Sequence, residues 1–293
     1  MACGGGGRGV GVSYTTLVNG AVVAERLHDP EWRVFDCRHQ LTDPDAGAQA
    51  YAAGHLPGAF FLHLDRDLSG PTNGRNGRHP LPDPLRLADK LGAAGVGAAT
   101  QVVAYDDAGG MLASRLWWLL RWLGHDRVAV LDGGIDRWLA EDRPVTTEWP
   151  RSEANVLAVA PRDWVVDSEA VLGNLHDNRL CLVDARSPDR FRGENETLDL
   201  VGGHIPGARN HFFRDNLGAD GCFLPAADLR RRFLALLAGR ASDEVVMSCG
   251  SGVSACHNLL AMEIAGLHGG RLYAGSWSEW CSDPARPMIR REA

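Results

Sequence analysis

The chain contains an internal repeat, and this repeat constrains the fold more than any other feature. Residues 54–59 read Gly-His-Leu-Pro-Gly-Ala, and residues 203–208 read Gly-His-Ile-Pro-Gly-Ala. Three further blocks recur in the same order: residues 32–38 with 180–186, residues 102–107 with 245–250, and residues 133–138 with 275–280. Four matched blocks in one order indicate two copies of a single domain.

Each copy alternates short apolar runs with segments of helical periodicity. This pattern is typical of an α/β fold, and we expect two tandem domains that each contain a mainly parallel sheet flanked by helices. We predict a disordered tail over residues 1–12, an N-terminal domain over 13–145, a linker over 146–160 and a C-terminal domain over 161–293. A length of 293 residues suits two domains of this kind.

Charge and hydropathy exclude several classes of partner. A net charge of -7 argues against nucleic acid and anionic membranes, because both bind to clustered positive charge. The most apolar helical segment, residues 116–123, is interrupted by Arg121 and is too short to span a bilayer. The glycine-rich N-terminus lacks the apolar core of a signal peptide. We therefore expect a cytoplasmic protein and, for a tandem pair of domains, a monomer.

The seven cysteines do not form a disulfide or zinc pattern. Their number is odd, no Cys-x-x-Cys pair occurs, and no histidines stand at matching spacing, so we predict no metal. Most of the thiols are expected to be reduced core residues. Cys256, seven residues after Cys249, is left open as a resolving thiol.

Cys249 lies between a short apolar run and a segment of helical periodicity. Backbone N–H groups near the start of a helix lack intrahelical partners and favour a thiolate, the nucleophilic form of cysteine. The alternative is a buried core cysteine, which is common at the end of a strand. The Gly-Ser-Gly sequence that follows leaves room for a substrate and favours the reactive role.

The two copies differ at this position, because Asp106 in the first copy corresponds to Cys249 in the second. Ligands of parallel sheets bind at the carboxyl ends of the strands, so we expect only the second copy to be active. Cysteine phosphatases share a strand-loop-helix of this type but need an arginine six residues after the cysteine. Ala255 stands there, which favours a sulfur-containing donor over a phosphate ester.

The repeated His-x-Pro-Gly-Ala blocks, the Asp-x-Arg strand ends and the cysteine loop resemble the tandem rhodanese-domain sulfurtransferases. The resemblance covers residues 14–288 and implies an inactive N-terminal copy packed on an active C-terminal copy. Members that use 3-mercaptopyruvate have loops similar to Cys-Gly-Ser-Gly-Val-Thr-Ala, whereas thiosulfate users have loops similar to Cys-Arg-Lys-Gly-Val-Thr-Ala. Residues 249–255 read Cys-Gly-Ser-Gly-Val-Ser-Ala and match the first pattern except for a serine that keeps the hydroxyl.

The resemblance implies a set of site residues. Cys249 would be the nucleophile, with Ser251, His79 and Asp65 as a relay that polarises the donor's ketone. Arginine binds carboxylates in a bidentate manner; the resemblance assigns this role to Arg190, with Arg192 as a partial substitute for a second family arginine that residues 195–202 lack. Backbone groups expected to hold the sulfur belong to Gly250, Gly252, Val253 and Ser254.

Several site residues have a structural alternative. His79 could be a surface-loop histidine, and Asp65 a solvated carboxylate. Arg186 and its counterpart Arg38 follow paired strands, so they are expected to form structural ion pairs with the preceding aspartates rather than to bind substrate.

The predicted function is sulfur transfer from 3-mercaptopyruvate through a persulfide on Cys249 to an acceptor thiol, a thioredoxin-like protein or cyanide. Neither a metal nor an organic cofactor is required. The alternatives are a thiosulfate:cyanide sulfurtransferase and a persulfide carrier with low turnover.

Overall fold

The computed structural model describes residues 13–290, and the tail predicted for residues 1–12 lies outside them. The first half contains the strands β1 (Leu17–Val18), β2 (Trp32–Asp36), β3 (Phe60–Phe61), β4 (Gln101–Tyr105) and β5 (Val128–Leu131). Its helices are α1 (Gly20–Arg26), α2 (Ala46–Ala53), α3 (Pro84–Ala93), α4 (Ala113–Trp122) and α5 (Gly134–Ala140).

The second half repeats this alternation of strands and helices. Its strands are β6 (Cys181–Asp184), β7 (Arg209–Asn210), β8 (Val245–Ser248) and β9 (Arg271–Leu272). Its helices are α6 (Ser168–Asp177), α7 (Pro188–Phe191), α8 (Ala226–Leu237), α9 (Ser254–Ile264) and α10 (Ser276–Trp280), with short 3₁₀ turns at Phe213–Asn216 and Ser242–Glu244.

The two halves have the same sheet topology. The first sheet has the order β1-β5-β4-β2-β3 and the second β7-β6-β8-β9, with every pair parallel. The counterpart of β1 is a single parallel bridge between Val165 and Leu272. The predicted α/β fold of two parallel sheets flanked by helices is confirmed.

The central strands are buried on both faces. Val102, Val103 and Ala104 of β4 are fully buried, as are Val245 and Val246 of β8. Parallel strands covered by helices on both sides are expected to be continuous apolar runs, because neither face meets water. This is why the strands could be located from the sequence.

Helices α4 and α9 bring the two halves into one continuous core. Leu116 and Leu120 of α4 belong to the same buried cluster as Leu259 and Leu260 of α9. The apolar segment predicted as a helix is therefore part of the contact between the halves. Within residues 13–290, no helix is both long enough and apolar enough to cross a membrane.

The segment that joins the halves is extended. Residues 147–164 contain no helix or strand, and they include most of the predicted linker. The domain limits at residues 145 and 161 stay a prediction. The carboxyl ends of β4 and β8 carry Asp106 and Cys249 in their following loops, and the second of these loops faces the first half of the chain.

Candidate active site

Cys249 directly follows β8 and is 2% exposed. The Gly252 N–H donates to its Sγ at 3.1 Å, and its own N–H donates to Ser276 Oγ at 3.0 Å. A backbone N–H aimed at sulfur can donate to negative charge that develops on it. The loop thus holds the sulfur in a fixed position and offers a donor to its negative charge.

Gly252 makes this turn possible. Its φ of +77° lies in the left-handed region, and a Cβ at this position would stand 2.4 Å from the carbonyl oxygen of Ala274. Any other residue at this position would have a strained backbone and a Cβ too close to the Ala274 carbonyl oxygen. The orientation of the N–H toward Cys249 therefore depends on glycine.

Ser251 is hydrogen bonded across the boundary between the halves. Its Oγ lies 2.7 Å from His79 Nδ1, and His79 Nε2 lies 3.1 Å from Asp65 Oδ1. Ser251 and His79 are buried, whereas the Asp65 side chain is 42% exposed. The structure thus brings the three residues together, with a hydrogen bond between Ser251 and His79 and a 3.1 Å ion-pair contact between His79 and Asp65.

The imidazole of His79 is neutral at physiological pH. Burial, with a further contribution from the nearby Arg115 guanidinium, lowers the pKa of His79 to about 4. Because Nε2 faces the Asp65 carboxylate, the neutral ring carries its proton on Nε2 and accepts the hydrogen bond of the Ser251 hydroxyl at Nδ1. This arrangement can take up a proton from the serine side and return it.

Two further histidines surround Asp65. His39 Nε2 and His63 Nδ1 each lie 3.9 Å from Asp65 Oδ2. Within residues 13–290, these are the three neighbouring side chains close enough to ligate one metal ion. However, the Asp65 N–H already donates to His63 Nδ1 at 3.1 Å, and the carboxylate already binds His79. We therefore regard the group as support for the relay.

A cavity of about 260 Å³ opens over Cys249 and is lined by both halves of the chain. Its lining residues are Leu41, Arg78, Met111, Ala185, Arg186, Ser187, Arg190, Phe212, Phe213, Arg214, Cys249, Gly250, Ser251, Val253 and Ser254. The cavity contains four arginines and no acidic lining residue. It is suited to a small anion with some apolar surface.

Arg190 reaches this cavity from α7. Its Nη2 donates to Glu196 Oε1 at 2.8 Å and to Asp199 Oδ2 at 3.3 Å. The side chains of both acids are almost completely buried, at 4% and 2% exposed. These bonds hold one edge of the guanidinium and leave its remaining N–H groups for a ligand.

Arg186 forms a structural ion pair and also lines the cavity. Its Nε and Nη2 bind Asp184 at 2.7–3.1 Å, and its Nη1 lies 3.4 Å from Glu196. Arg38 makes the same bidentate pair with Asp36 in the first half. The expected structural ion pairs are therefore present.

The structure does not place Arg192 where the predicted role in substrate binding requires it. Its side chain is 54% exposed, pairs with Glu194 at 2.7 Å and does not line the cavity. The reason is helical geometry, because residues two apart on a helical turn point to different sides. Arg190 faces the cavity, so Arg192 faces away from it.

Two functional candidates were missed from the sequence. Arg78 lines the cavity, and its position next to His79 in the sequence could have indicated this.

Ser276 accepts the Cys249 N–H although its φ of +53° is unusual for a residue other than glycine. Its repeat partner, Gly134, has a φ of +57°, so the serine is a strained replacement of a repeat glycine.

Asp106 fills the corresponding loop of the first half. Its Oδ1 accepts the N–H groups of Ala108 and Gly110, and its Oδ2 accepts those of Leu112 and Ala113, at 2.7–2.9 Å. The Asp106 carboxylate accepts the hydrogen bonds of these four N–H groups. In the second half, the corresponding loop contains the sulfur of Cys249 instead. This contact accounts physically for an expected lack of chemistry in the first copy.

Cys256 gains no support as a resolving thiol. It is fully buried, its Sγ lies 3.3 Å from the carbonyl oxygen of Gly252, and burial raises its pKa to about 12. A thiol in this state does not attack a persulfide at neutral pH. Within the described part of the chain, the cysteines are free thiols at Cys37, Cys181, Cys222, Cys249, Cys256 and Cys281.

Comparison with known proteins agrees with this geometry. A family model described as "Rhodanese-like domain" matches residues 20–141 and again residues 167–283. A Pseudomonas aeruginosa protein named "Probable 3-mercaptopyruvate sulfurtransferase" is 49% identical over 280 residues, covering 94% of this chain and 99% of that protein. A Cricetulus griseus thiosulfate sulfurtransferase is 35% identical over 281 residues, covering 92% of this chain and 93% of that protein.

A solved structure extends the similarity to the fold. The 3-mercaptopyruvate sulfurtransferase from Leishmania major matches with a TM-score of 0.80 and 30% identity, over 91% of this chain and 74% of that one. The matches span both copies of the repeat and the loop that contains Cys249. The chain therefore belongs to the rhodanese-like domain family, as a sulfurtransferase with two tandem rhodanese domains.

Proposed function

We propose that this sulfurtransferase takes sulfur from 3-mercaptopyruvate, carries it as a persulfide on Cys249 and passes it to a thiol or to cyanide. The observation that carries the proposal is the 2.7 Å hydrogen bond between Ser251 and His79, two residues from the nucleophile. A ketone donor needs such a group, because negative charge develops on its oxygen as the carbon–sulfur bond breaks. The names of the Pseudomonas aeruginosa and Leishmania major relatives agree with this donor.

The first step forms the persulfide. The Cys249 thiolate attacks the donor's thiol sulfur, an S–S bond forms, and the C–S bond breaks. Its electron pair moves onto the carbon and the ketone oxygen, giving the enolate of pyruvate. The thiol proton passes through the Ser251 hydroxyl to neutral His79, whose imidazolium form is stabilised by Asp65 at 3.1 Å. Protonated His79 then donates to Ser251, and the freed hydroxyl donates to the enolate oxygen.

The second step restores the enzyme. The proton held by His79 returns through Ser251 to the enolate carbon and yields pyruvate. An acceptor thiolate or cyanide attacks the outer sulfur, the S–S bond breaks, and the Cys249 thiolate is released. The Gly252 N–H, 3.1 Å from Sγ, supports the sulfur charge in both steps. Neighbouring loop N–H groups from Gly250 to Ser254 are proposed to hold the outer sulfur.

The test is a comparison of donors with a direct observation of the intermediate. Thiocyanate formation from cyanide is measured with 3-mercaptopyruvate and with thiosulfate, for the wild type and for Cys249→Ser. We expect kcat/KM to favour 3-mercaptopyruvate by about tenfold or more, a difference of about 1.4 kcal/mol in transition-state binding. Mass spectrometry without acceptor should find one added sulfur atom in the wild type and none in the variant.

A second donor has specific support. Four arginines line the cavity, and a Cricetulus griseus relative is named thiosulfate sulfurtransferase. Preference for thiosulfate in the same assay would replace the first proposal with this one. Absence of turnover with both donors, together with a loaded persulfide, would identify a carrier.

A further inference from the structure

Arg214 and Asp65 occupy the same position in the two copies of the repeat. Arg214 follows His204 at the same distance along the chain as Asp65 follows His55. The pairing of β7 with β6 has the same register as that of β3 with β2, which confirms this alignment. Asp65 belongs to the relay, and Arg214 lines the cavity over Cys249. Both copies therefore contribute this position to one active site, with opposite charges.

A short turn holds the backbone of Arg214. The residue lies in the 3₁₀ turn Phe213–Asn216, and its carbonyl oxygen accepts the Leu217 N–H at 3.0 Å. The preceding Phe213 is 8% exposed and packs edge to face on His257, with 5.3 Å between the ring centroids. The base of the Arg214 side chain is thus fixed, while the residue as a whole is exposed to water.

Arg214 differs from the other arginines of the cavity in its charge balance. The other three each bind an almost completely buried carboxylate: Arg78 that of Asp199, Arg190 that of Glu196 and Arg186 that of Asp184. Within residues 13–290, the Arg214 guanidinium has no hydrogen bond and no ion pair, and it lies 5.9 Å from the centre of the Phe213 ring. Its charge is therefore available to an anion that enters from water.

The mouth of the cavity is formed by one residue from each half. Among the described lining residues, the exposed ones are Leu41 and Arg214, whereas Cys249, Gly250 and Ser251 are buried. A ligand that approaches from solvent therefore meets an apolar side chain and a guanidinium before it reaches the sulfur of Cys249.

The second step of the proposed reaction places the acceptor at this mouth. A thiolate attacks a sulfur atom in line with the bond that breaks. The outer sulfur of the persulfide thus lies between Cys249 and the acceptor, so the remaining atoms of the acceptor extend outward from the buried loop. The donor differs, because its carboxylate is close to its own sulfur and is assigned to Arg190. Arg214 is therefore placed for the acceptor.

We propose that Arg214 binds the carboxylate of the acceptor, so that the enzyme passes its sulfur preferentially to small thiols that carry a carboxylate. The acceptor thiolate forms an S–S bond with the outer sulfur, and the bond from that sulfur to Cys249 Sγ breaks. Its electron pair returns to Sγ as the thiolate, and the acceptor leaves as a persulfide. The inference rests on the persulfide of the proposed function, but not on the identity of the donor.

The experiment measures the second step alone. The enzyme is loaded with 3-mercaptopyruvate, freed of pyruvate by gel filtration and mixed with 3-mercaptopropionate or with 2-mercaptoethanol, which lacks the carboxylate. Quenched mass spectrometry follows the loss of the added sulfur. The variants are Arg214→Met, Arg214→Lys and Arg214→Glu. The control Arg231→Met removes the same charge from a residue that is 74% exposed on α8, binds Asp228 and does not line the cavity.

The expected effect is confined to the acceptor with a carboxylate. Arg214→Met should lower the second-order rate constant for 3-mercaptopropionate about five- to tenfold, and that for 2-mercaptoethanol by less than about twofold. Arg214→Lys should recover part of the loss, and Arg214→Glu should increase it by repulsion. Salt should weaken the wild-type preference, because it screens an exposed charge. Arg231→Met should behave like the wild type, and loading by the donor should be similar in all variants.

The contrary results are distinct. Equal losses with both thiols would assign Arg214 a structural role and overturn the inference, as would no change with either thiol. A loss confined to loading would assign Arg214 to the donor and overturn it too. If the wild type is loaded by thiosulfate but not by 3-mercaptopyruvate, the proposed donor is wrong, and the same comparison tests Arg214 in the thiosulfate-loaded enzyme. Failure of both donors to load Cys249 would overturn the proposed function and this inference together.

Discussion

Ser251 Oγ and His79 Nδ1 lie 2.7 Å apart although 172 residues separate them in the chain. Each belongs to a different copy of the repeat, so the hydrogen bond exists only when the two domains are packed together. Arg115 supports this contact from α4, donating to the carbonyl oxygens of His79 and Gly252 at 3.1 Å. Sulfur transfer from a ketone donor is therefore expected to require both domains.

The relay should matter for a ketone donor far more than for thiosulfate. We expect Ser251→Ala and His79→Asn each to lower kcat for 3-mercaptopyruvate by about 10²- to 10³-fold, because the developing oxyanion loses its donor. The double variant should be only slightly worse than either single one, since the residues act as a unit. Steady-state assays with the two donors measure this effect. Equal losses with thiosulfate would contradict the assigned role.

Stability should decrease in mild acid because of buried histidines. Burial lowers the pKa of His79 to about 4 and that of His257 to about 3, both below the ordinary 6.5. As the pH falls below about 6.5, the two histidines bind protons in the unfolded chain but not yet in the folded one. The free energy of unfolding therefore declines below about pH 6.5 and continues to decline until the pH reaches the pKa values of the folded state.

The size of this effect can be measured by urea unfolding between pH 7 and pH 4.5. We expect a loss of about 2 kcal/mol or more, from roughly 1.4 kcal/mol per unit of pKa difference. His257→Gln should reduce the slope of stability against pH, because glutamine does not titrate. A slope unchanged by this substitution would assign the acid sensitivity to other groups.

Gly252→Ala should disturb both stability and chemistry. The substitution puts a side chain at a φ of +77° and 2.4 Å from a carbonyl oxygen, which should cost about 1–3 kcal/mol of unfolding free energy. The N–H that faces Cys249 would also turn, so alkylation of the thiolate by iodoacetamide should slow. Gly173→Ala is the matched control: Gly173 is exposed on α6, and a Cβ there would meet no neighbouring residue within 4 Å, so the substitution should be neutral or stabilising.

Asp106→Ala should destabilise the protein without removing the catalytic groups. Four N–H groups, three of them buried, would lose their acceptor, which should cost about 2–4 kcal/mol of unfolding free energy. At a temperature where the variant is folded, kcat/KM should stay within about threefold of the wild type. Thermal unfolding and donor assays check both statements. The neighbouring Asp107→Ala should leave stability nearly unchanged, and a strong loss of activity in Asp106→Ala would overturn the separation of roles.

Much of the fold could be predicted because its information is local and repeated. The strands are apolar runs buried on both faces, and the paired Gly-His-x-Pro-Gly-Ala blocks revealed the two copies. Cys249 could be located at the end of β8 because the chain must turn there before α9 begins. The replacement of the cysteine by Asp106 in the first copy could also be predicted, because the two copies can be aligned from residue identities alone.

The direction in which side chains point was not predictable in the same way. Arg190 and Arg192 are equivalent in a list of cations, but only Arg190 faces the cavity. Glu196 and Asp199 were not predicted as part of the site, yet they are almost completely buried against arginines. Arg78 drew no attention because its partners lie more than one hundred residues away in the sequence.

Local sequence was enough to predict the two α/β domains, the loop of Cys249 and the family resemblance, because periodicity, turn residues and repeats act over short distances along the chain. The contacts of Ser251 with His79 and of Arg78 with Asp199 depend on the packing of the two domains, since both contacts cross the boundary between them. Their existence depends on how α4 and α9 share one core. Burial in that boundary is also what lowers the pKa of His79, a property that no local stretch of sequence carries.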